Sequence, residues 1–100
     1  MTKKIDGVIE AVRYKNGHLM VVRAYERRGA TFSDRVLLER KTLLERIRLG
    51  QQYLTGTREE LHASTFKTGK PVLIVNLDDR ELLATREDAT HDELEEVPVF

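Results

Sequence analysis

Apolar residues cluster on both sides of Asn16-Gly17, and the turn that this pair specifies organises the first third of the chain. An Asn-Gly pair accepts positive φ at both positions, as a two-residue type I′ hairpin loop requires. A loop centred there sets Tyr14 opposite Leu19, Val12 opposite Val21, Glu10 opposite Arg23, Val8 opposite Tyr25 and Asp6 opposite Arg27, all on one face. The other face pairs Ala11 with Val22 and Ile9 with Ala24, with Met20 and Ile5 beside them. Opposite charges then meet twice, at Glu10–Arg23 and Asp6–Arg27, and a slip of one residue would lose both and mix the faces. Apolar side chains on both faces predict a small barrel or a covered sheet, not a sheet wet on one side.

Gly29 closes the second strand, and the next stretch has two readings. In the preferred one, Arg35 to Glu39 is a third strand and Thr42 starts a short helix. Thr42 and Glu45 have capping-box spacing, and Gly50 suits the position after the helix end. In the other, one helix runs from Ser33 to Leu49, capped by Ser33 and stapled by Phe32 onto Leu37. Its apolar arc would hold Val36, Leu37, Leu43, Leu44 and Ile47, but Arg40 falls inside that arc.

Strand character returns after Gly50. Gln51 to Thr57 and Leu61 to Phe66 read as strands, then a Thr68-Gly69-Lys70 turn, then a strand from Val72 to Asn76. Pro71 cannot donate to a ladder and fits a strand start or an edge. Arg80 to Thr85 adds a further short strand. In the tail, Thr90 and Glu93 again have capping-box spacing, which predicts a helical turn within Asp88 to Phe100. The first six of these elements run β-β-β-α-β-β, the order of OB-like barrels, and the later strands extend it. The expected fold is therefore α+β: a small, mostly antiparallel β-barrel with one short helix. Residues 1–85 form the single domain, and 86–100 form an acidic tail that composition leaves free to be flexible.

Size and composition narrow the class. One hundred residues suit one core. The absence of Cys removes disulfides, thiolate nucleophiles and Cys-based zinc sites. The longest apolar runs, Leu19 to Val22 and Pro71 to Val75, fall far short of the roughly 20 residues that span a bilayer. Asp6 and Glu10 interrupt the apolar residues after Lys3 and Lys4, so no secretory signal is read there. The plain expectation is a cytoplasmic protein with no membrane segment and no small-molecule cofactor.

Charge changes the picture more. Residues 1–50 hold twelve basic and six acidic residues, and residues 51–100 hold five and eleven, so the halves carry +6 and −6. A basic first half attracts anions, and an acidic tail can compete for the same surface. Tyr14, Arg23, Tyr25 and Arg27 fall on one expected hairpin face, with Arg28 and Arg35 next along the chain. Aromatic platforms for bases with cations for the backbone are the means of binding single-stranded nucleic acid. These six are the candidate anion or nucleic-acid contacts. The plainer account pairs Arg23 with Glu10 and Arg27 with Asp6, and spends most of the aromatics in the core.

Other motifs carry less. Lys67-Thr68-Gly69-Lys70 resembles the end of a phosphate-binding loop. Ser64 stands where the loop needs Gly, and Pro71 stands where it needs Ser or Thr, so a hairpin turn is the better account. Asp88, His91, Asp92 and Glu95 would share a helix face and could hold a divalent cation, but no second cluster completes the ligand set. His62 and Ser64 would lie on one side of a strand, with no nucleophile elbow and no orienting third group. Asp78–Asp79 and Glu95–Glu96 are adjacent in sequence and diverge rather than converge for acid–base work. No catalytic role is expected. The leading expectation is a non-catalytic protein-interaction or self-association module, using exposed edges and the complementary halves. The alternative is a single-stranded nucleic-acid-binding module that uses the basic half.

Overall fold

The computed structural model describes residues 5–58 and 66–100. The expected hairpin is present as β1 (Gly7–Lys15) and β2 (His18–Arg28), with Asn16 and Gly17 at φ 53° and 79°. Its register differs from expectation in the middle. Tyr14 faces Leu19, but Val12 then faces Val22 and Ala11 faces Arg23; beyond that, Ile9 faces Ala24 and Val8 faces Tyr25. One irregularity lies beside Met20 on β2 and one beside Glu10 on β1, and they cancel. Bulges of this kind bend a strand pair and re-aim side chains. Here they leave Val12 and Val22 both buried in the core, while Met20 stays in solvent. The Asp6–Arg27 pairing survives only in the main chain, where the Arg27 N–H donates to the Asp6 carbonyl at 2.8 Å. The Asp6 carboxylate instead accepts the Gln52 N–H at 2.7 Å.

β3 (Thr31–Phe32) and β4 (Val36–Glu39) both pair antiparallel with β2. The strand-then-helix reading is the one the fold adopts, although α1 (Arg40–Arg48) starts two residues before Thr42. Glu39 is its N-cap and makes no side-chain capping bond, so the Thr42–Glu45 box does not form at that end. Arg40 enters the first turn, where a cation opposes the helix dipole. Its guanidinium answers another demand, the buried carboxylate of Asp92. The far end closes as expected: Gly50 at φ 90° donates to Ile47, and the Gln51 N–H donates to Arg46, the two bonds of a Schellman motif.

The helix carries the chain across the sheet to β5 (Tyr53–Arg58), which lies parallel to β1. Parallel neighbours need such a crossover. β6 (Phe66–Pro71) then pairs antiparallel with β5, and Pro71 lies on that outer strand. The expected Thr68-Gly69-Lys70 turn is strand interior. The Lys70 N–H donates to Thr55 Oγ1, and a Cβ on Gly69 would stand 2.6 Å from that oxygen, so glycine serves close strand approach there. The expected strand from Leu61 to Phe66 lies outside the described residues except for Phe66, as do His62 and Ser64.

The main sheet runs β3-β2-β1-β5-β6, with β4 also on β2. It curls into a half-barrel that is not closed: among the described residues β6 pairs with β5 and not with β3 or β4. The OB-like order is therefore not the one observed. The open side is filled by α1, by a separate hairpin of β7 (Leu73–Leu77) and β8 (Arg80–Ala84), and by the tail. Asp78 and Asp79, at φ 48° and 64°, make the two-residue loop of that hairpin. The core gathers Ile9, Val12, Leu19, Val22, Leu43, Leu44, Tyr53, Leu83 and Leu94.

Among the described residues no helix is long and apolar enough to cross a membrane. The expected helical turn in the tail is absent; turns at Glu87–Asp88 and Glu95–Glu96 join two bridging residues, Glu93 beside Ala84 and Val99 beside Val12. Val12 gives its N–H to Pro98 and accepts from Phe100, so the tail continues the sheet along β1 beyond the last β5 contact. The link that binds the tail hardest is Asp92. Its side chain is fully buried and accepts the N–H groups of Leu19 and Leu83 at 2.7 and 2.9 Å and Arg40 Nε at 3.0 Å. Four separate segments meet at that one carboxylate.

Candidate functional site

The second face of the hairpin, away from the helix, carries a thinner apolar layer. Val8, Ala11 and Tyr25 are buried but stand outside the main core cluster. Rings and arginines cover them. Phe66 packs on Tyr25 with ring centres 5.1 Å apart, and Phe32 packs edge-on against Phe66 at 4.7 Å. The Arg58 guanidinium lies 4.3 Å from the Tyr25 centroid and 5.4 Å from that of Phe66. Arg27 lies over Phe32 at 4.8 Å. Toward the tail, Arg13 and Arg23 both lie over the Phe100 ring, at 4.6 and 4.9 Å. Such contacts favour a cation held against a π-face.

Glu10 is the hub. Its Oε1 takes Arg23 Nε at 2.9 Å and Arg35 Nε at 2.6 Å, while its Oε2 accepts the Tyr25 hydroxyl at 3.0 Å. The irregularity of β1 beside Glu10 is what aims this carboxylate between the three groups. Burial raises the Tyr25 pKa above the ordinary phenol value, and the Glu10 hydrogen bond and charge add to that. Tyr25 therefore remains a neutral donor at physiological pH. The Glu10 charge likewise raises Arg35, ahead of the contribution from Tyr25.

The other three arginines donate to main-chain oxygens: Arg13 to Phe100, Arg27 to Ile5 and Arg58 to Ser33. The carbonyls of Ile5 and Ser33 fix Arg27 and Arg58 without cancelling their charge. Among the described residues, five guanidinium groups thus lie against rings or main-chain oxygens of this face, and two of them, Arg23 and Arg35, share the Glu10 carboxylate. Arg58 Nε is buried and has no hydrogen-bond partner among the described residues.

Of the six residues the sequence singles out, Arg23, Tyr25, Arg27 and Arg35 come together here. Tyr14 does not. It packs with the core on the opposite face, and its hydroxyl accepts the Leu94 N–H at 2.9 Å. Burial pushes its pKa up, against the opposing effect of that N–H. Arg28 ends β2, largely in solvent, 3.9 Å from Glu26. Arg13, Arg58, Phe32, Phe66 and Phe100 complete the face and had no local signal. Phe100 meets Arg13 across 87 residues of chain.

The remaining candidates are engaged elsewhere. The four residues at helical spacing are dispersed: Asp88 stands near Arg86, His91 near Glu93, Asp92 is the buried junction, and Glu95 bonds Lys70 and Thr85. Among the described residues no group of three or more His, Asp or Glu is placed to hold a metal ion. The opposite halves of the chain also meet within one molecule, since Arg40 pairs with Asp92 and Arg48 with Glu81. No family model, curated protein or solved structure matches the chain.

Proposed function

We propose that this chain is a non-catalytic interaction module whose working surface is the arginine–aromatic face. The observation that carries the reading is that Arg13, Arg23, Arg27 and Arg58 lie over the rings of this face, with Arg23 and Arg35 sharing Glu10. A surface with that excess of cation, held in place by rings and carbonyls, fits an anionic partner. Little side-chain freedom is left to lose on binding, which favours affinity. Elution from immobilised heparin tests the reading. Arg13→Gln and Arg27→Gln should each elute at lower salt than the parent, and Arg80→Gln, on β8, should elute with the parent. Equal loss in all three variants would contradict a face-specific site.

Self-association is a second reading, favoured by one observation. Leu37 is 64% exposed on the short strand β4, which pairs on one side with β2. The +6 and −6 halves no longer argue for it, because several of those charges pair within the molecule. Sedimentation velocity across a concentration series separates the two readings: a mass that rises with concentration and returns to monomer in Leu37→Lys would favour self-association.

A further inference from the structure

We infer that the partner of this face is a single-stranded nucleic acid, an inference that rests on the reading of the face as the binding surface. Two chemistries are interleaved there. Arg27 and Arg58 keep their full charge against the carbonyl oxygens of Ile5 and Ser33, while Arg13 donates to the main-chain oxygen of Phe100. Arg23 and Arg35 share Glu10, so that trio also keeps a net positive charge. Planar groups lie between these charges. Tyr25, Phe66 and Phe32 form a contiguous floor of rings, and Arg58, Arg27 and Arg35 lie over it, with Arg35 at 5.9 Å from Tyr25. A guanidinium fixed over a ring offers its outer plane to a further planar group. The Arg35 side chain is 62% exposed and that of Arg23 is 40% exposed, so those planes are accessible.

An unpaired strand brings both complements at once: a phosphate and an open π-face in every nucleotide. A duplex hides its base faces. A sulfated polysaccharide or an acidic peptide brings charge without a regular series of planes. Guanidinium planes and aromatic rings alternating along a cationic surface match the first ligand better than the others.

The test is fluorescence polarisation with labelled single-stranded RNA and DNA, run beside heparin elution on the same proteins. With roughly three to five phosphates contacted, affinity should fall about 20- to 130-fold between about 50 and about 200 mM salt. The deciding variant is Arg23→Lys/Arg35→Lys, which keeps both charges beside Glu10 and removes both planes. It should weaken oligonucleotide binding at least about fivefold, the low end for one lost stack, and leave heparin elution unchanged. Arg13→Lys, at the other end of the face, repeats the test if the double variant lowers the melting temperature. Oligonucleotide affinity that ignores the lysine substitutions, or that falls only in step with heparin, overturns this inference and leaves the anion-binding face standing. No binding of either oligonucleotide or heparin at about 50 mM salt overturns both.

Discussion

Asp92→Ala should lower the stability of the domain by about 3–5 kcal/mol, the usual cost of removing one partner from a buried ion pair. The substitution strands Arg40 and leaves the buried N–H groups of Leu19 and Leu83 without acceptors. For a domain of this size that loss corresponds to a fall in melting temperature of at least about 12 °C, read by circular dichroism. The same carboxylate sets a pH dependence. Burial alone would raise its pKa, but the Arg40 hydrogen bond, the two main-chain N–H groups and the Arg40 charge together hold it below the ordinary value. A folded pKa below the unfolded one means that this stabilisation is complete above the unfolded pKa of about 3.9. It is lost as pH falls through the folded value. Asp92→Asn should start less stable at neutral pH and lose less on further acidification. A parent and variant that decline in parallel below about pH 4 would show that Asp92 is not the group responsible.

Leu43→Ala should cost about 2–5 kcal/mol, because Leu43 is fully buried on α1 and its truncation leaves a cavity at the centre of the core. Leu37→Ala, six residues earlier, should stay within about 0.5 kcal/mol, since most of that side chain is already in water. Chemical denaturation of the pair measures the contrast. Similar losses for both would contradict the exposure of Leu37 on β4. The pair also bears on the longer-helix reading of Ser33 to Leu49, which places Leu37 and Leu43 together in one buried arc.

These contrasts show what the sequence held and what it did not. The hairpin was legible because Asn16-Gly17 specifies its own turn, and a two-residue loop fixes the register nearest to it. The cancelling bulges were not, because no local rule says that Val12 and Val22 must both enter the core. The C-terminal end of α1 followed from Gly50, whereas the Thr42–Glu45 spacing did not mark its start, where Arg40 bonds Asp92 from far along the chain. Lys67 to Lys70 read as a turn because Gly and Lys are poor strand formers. The contact that makes it strand, Thr55 with Lys70, spans residues that share no local pattern. The parallel placement of β5, which sets this curl apart from an OB-like barrel, is a choice of topology that strand patterning alone does not specify.

The binding face was half legible for the same reason. Arg23, Tyr25 and Glu10 follow from the hairpin itself, and Arg35 lies close to it in sequence. Arg58, Phe66 and Phe100 reach the face only through β5, β6 and the tail. Tyr14 was lost to the core by the change of register between Arg13 and Tyr14, which turns it toward Leu94.

The most direct test of the arginine–aromatic face is an NMR titration that follows the arginine Nε–H resonances as a heparin hexasaccharide is added. Saturable shifts are expected at Arg13, Arg23, Arg27, Arg35 and Arg58, with Arg40, Arg48 and Arg86, which pair with acids elsewhere, left in place. Shifts centred on Arg40 and Arg80, or no shifts at low salt, would contradict a binding surface at this face.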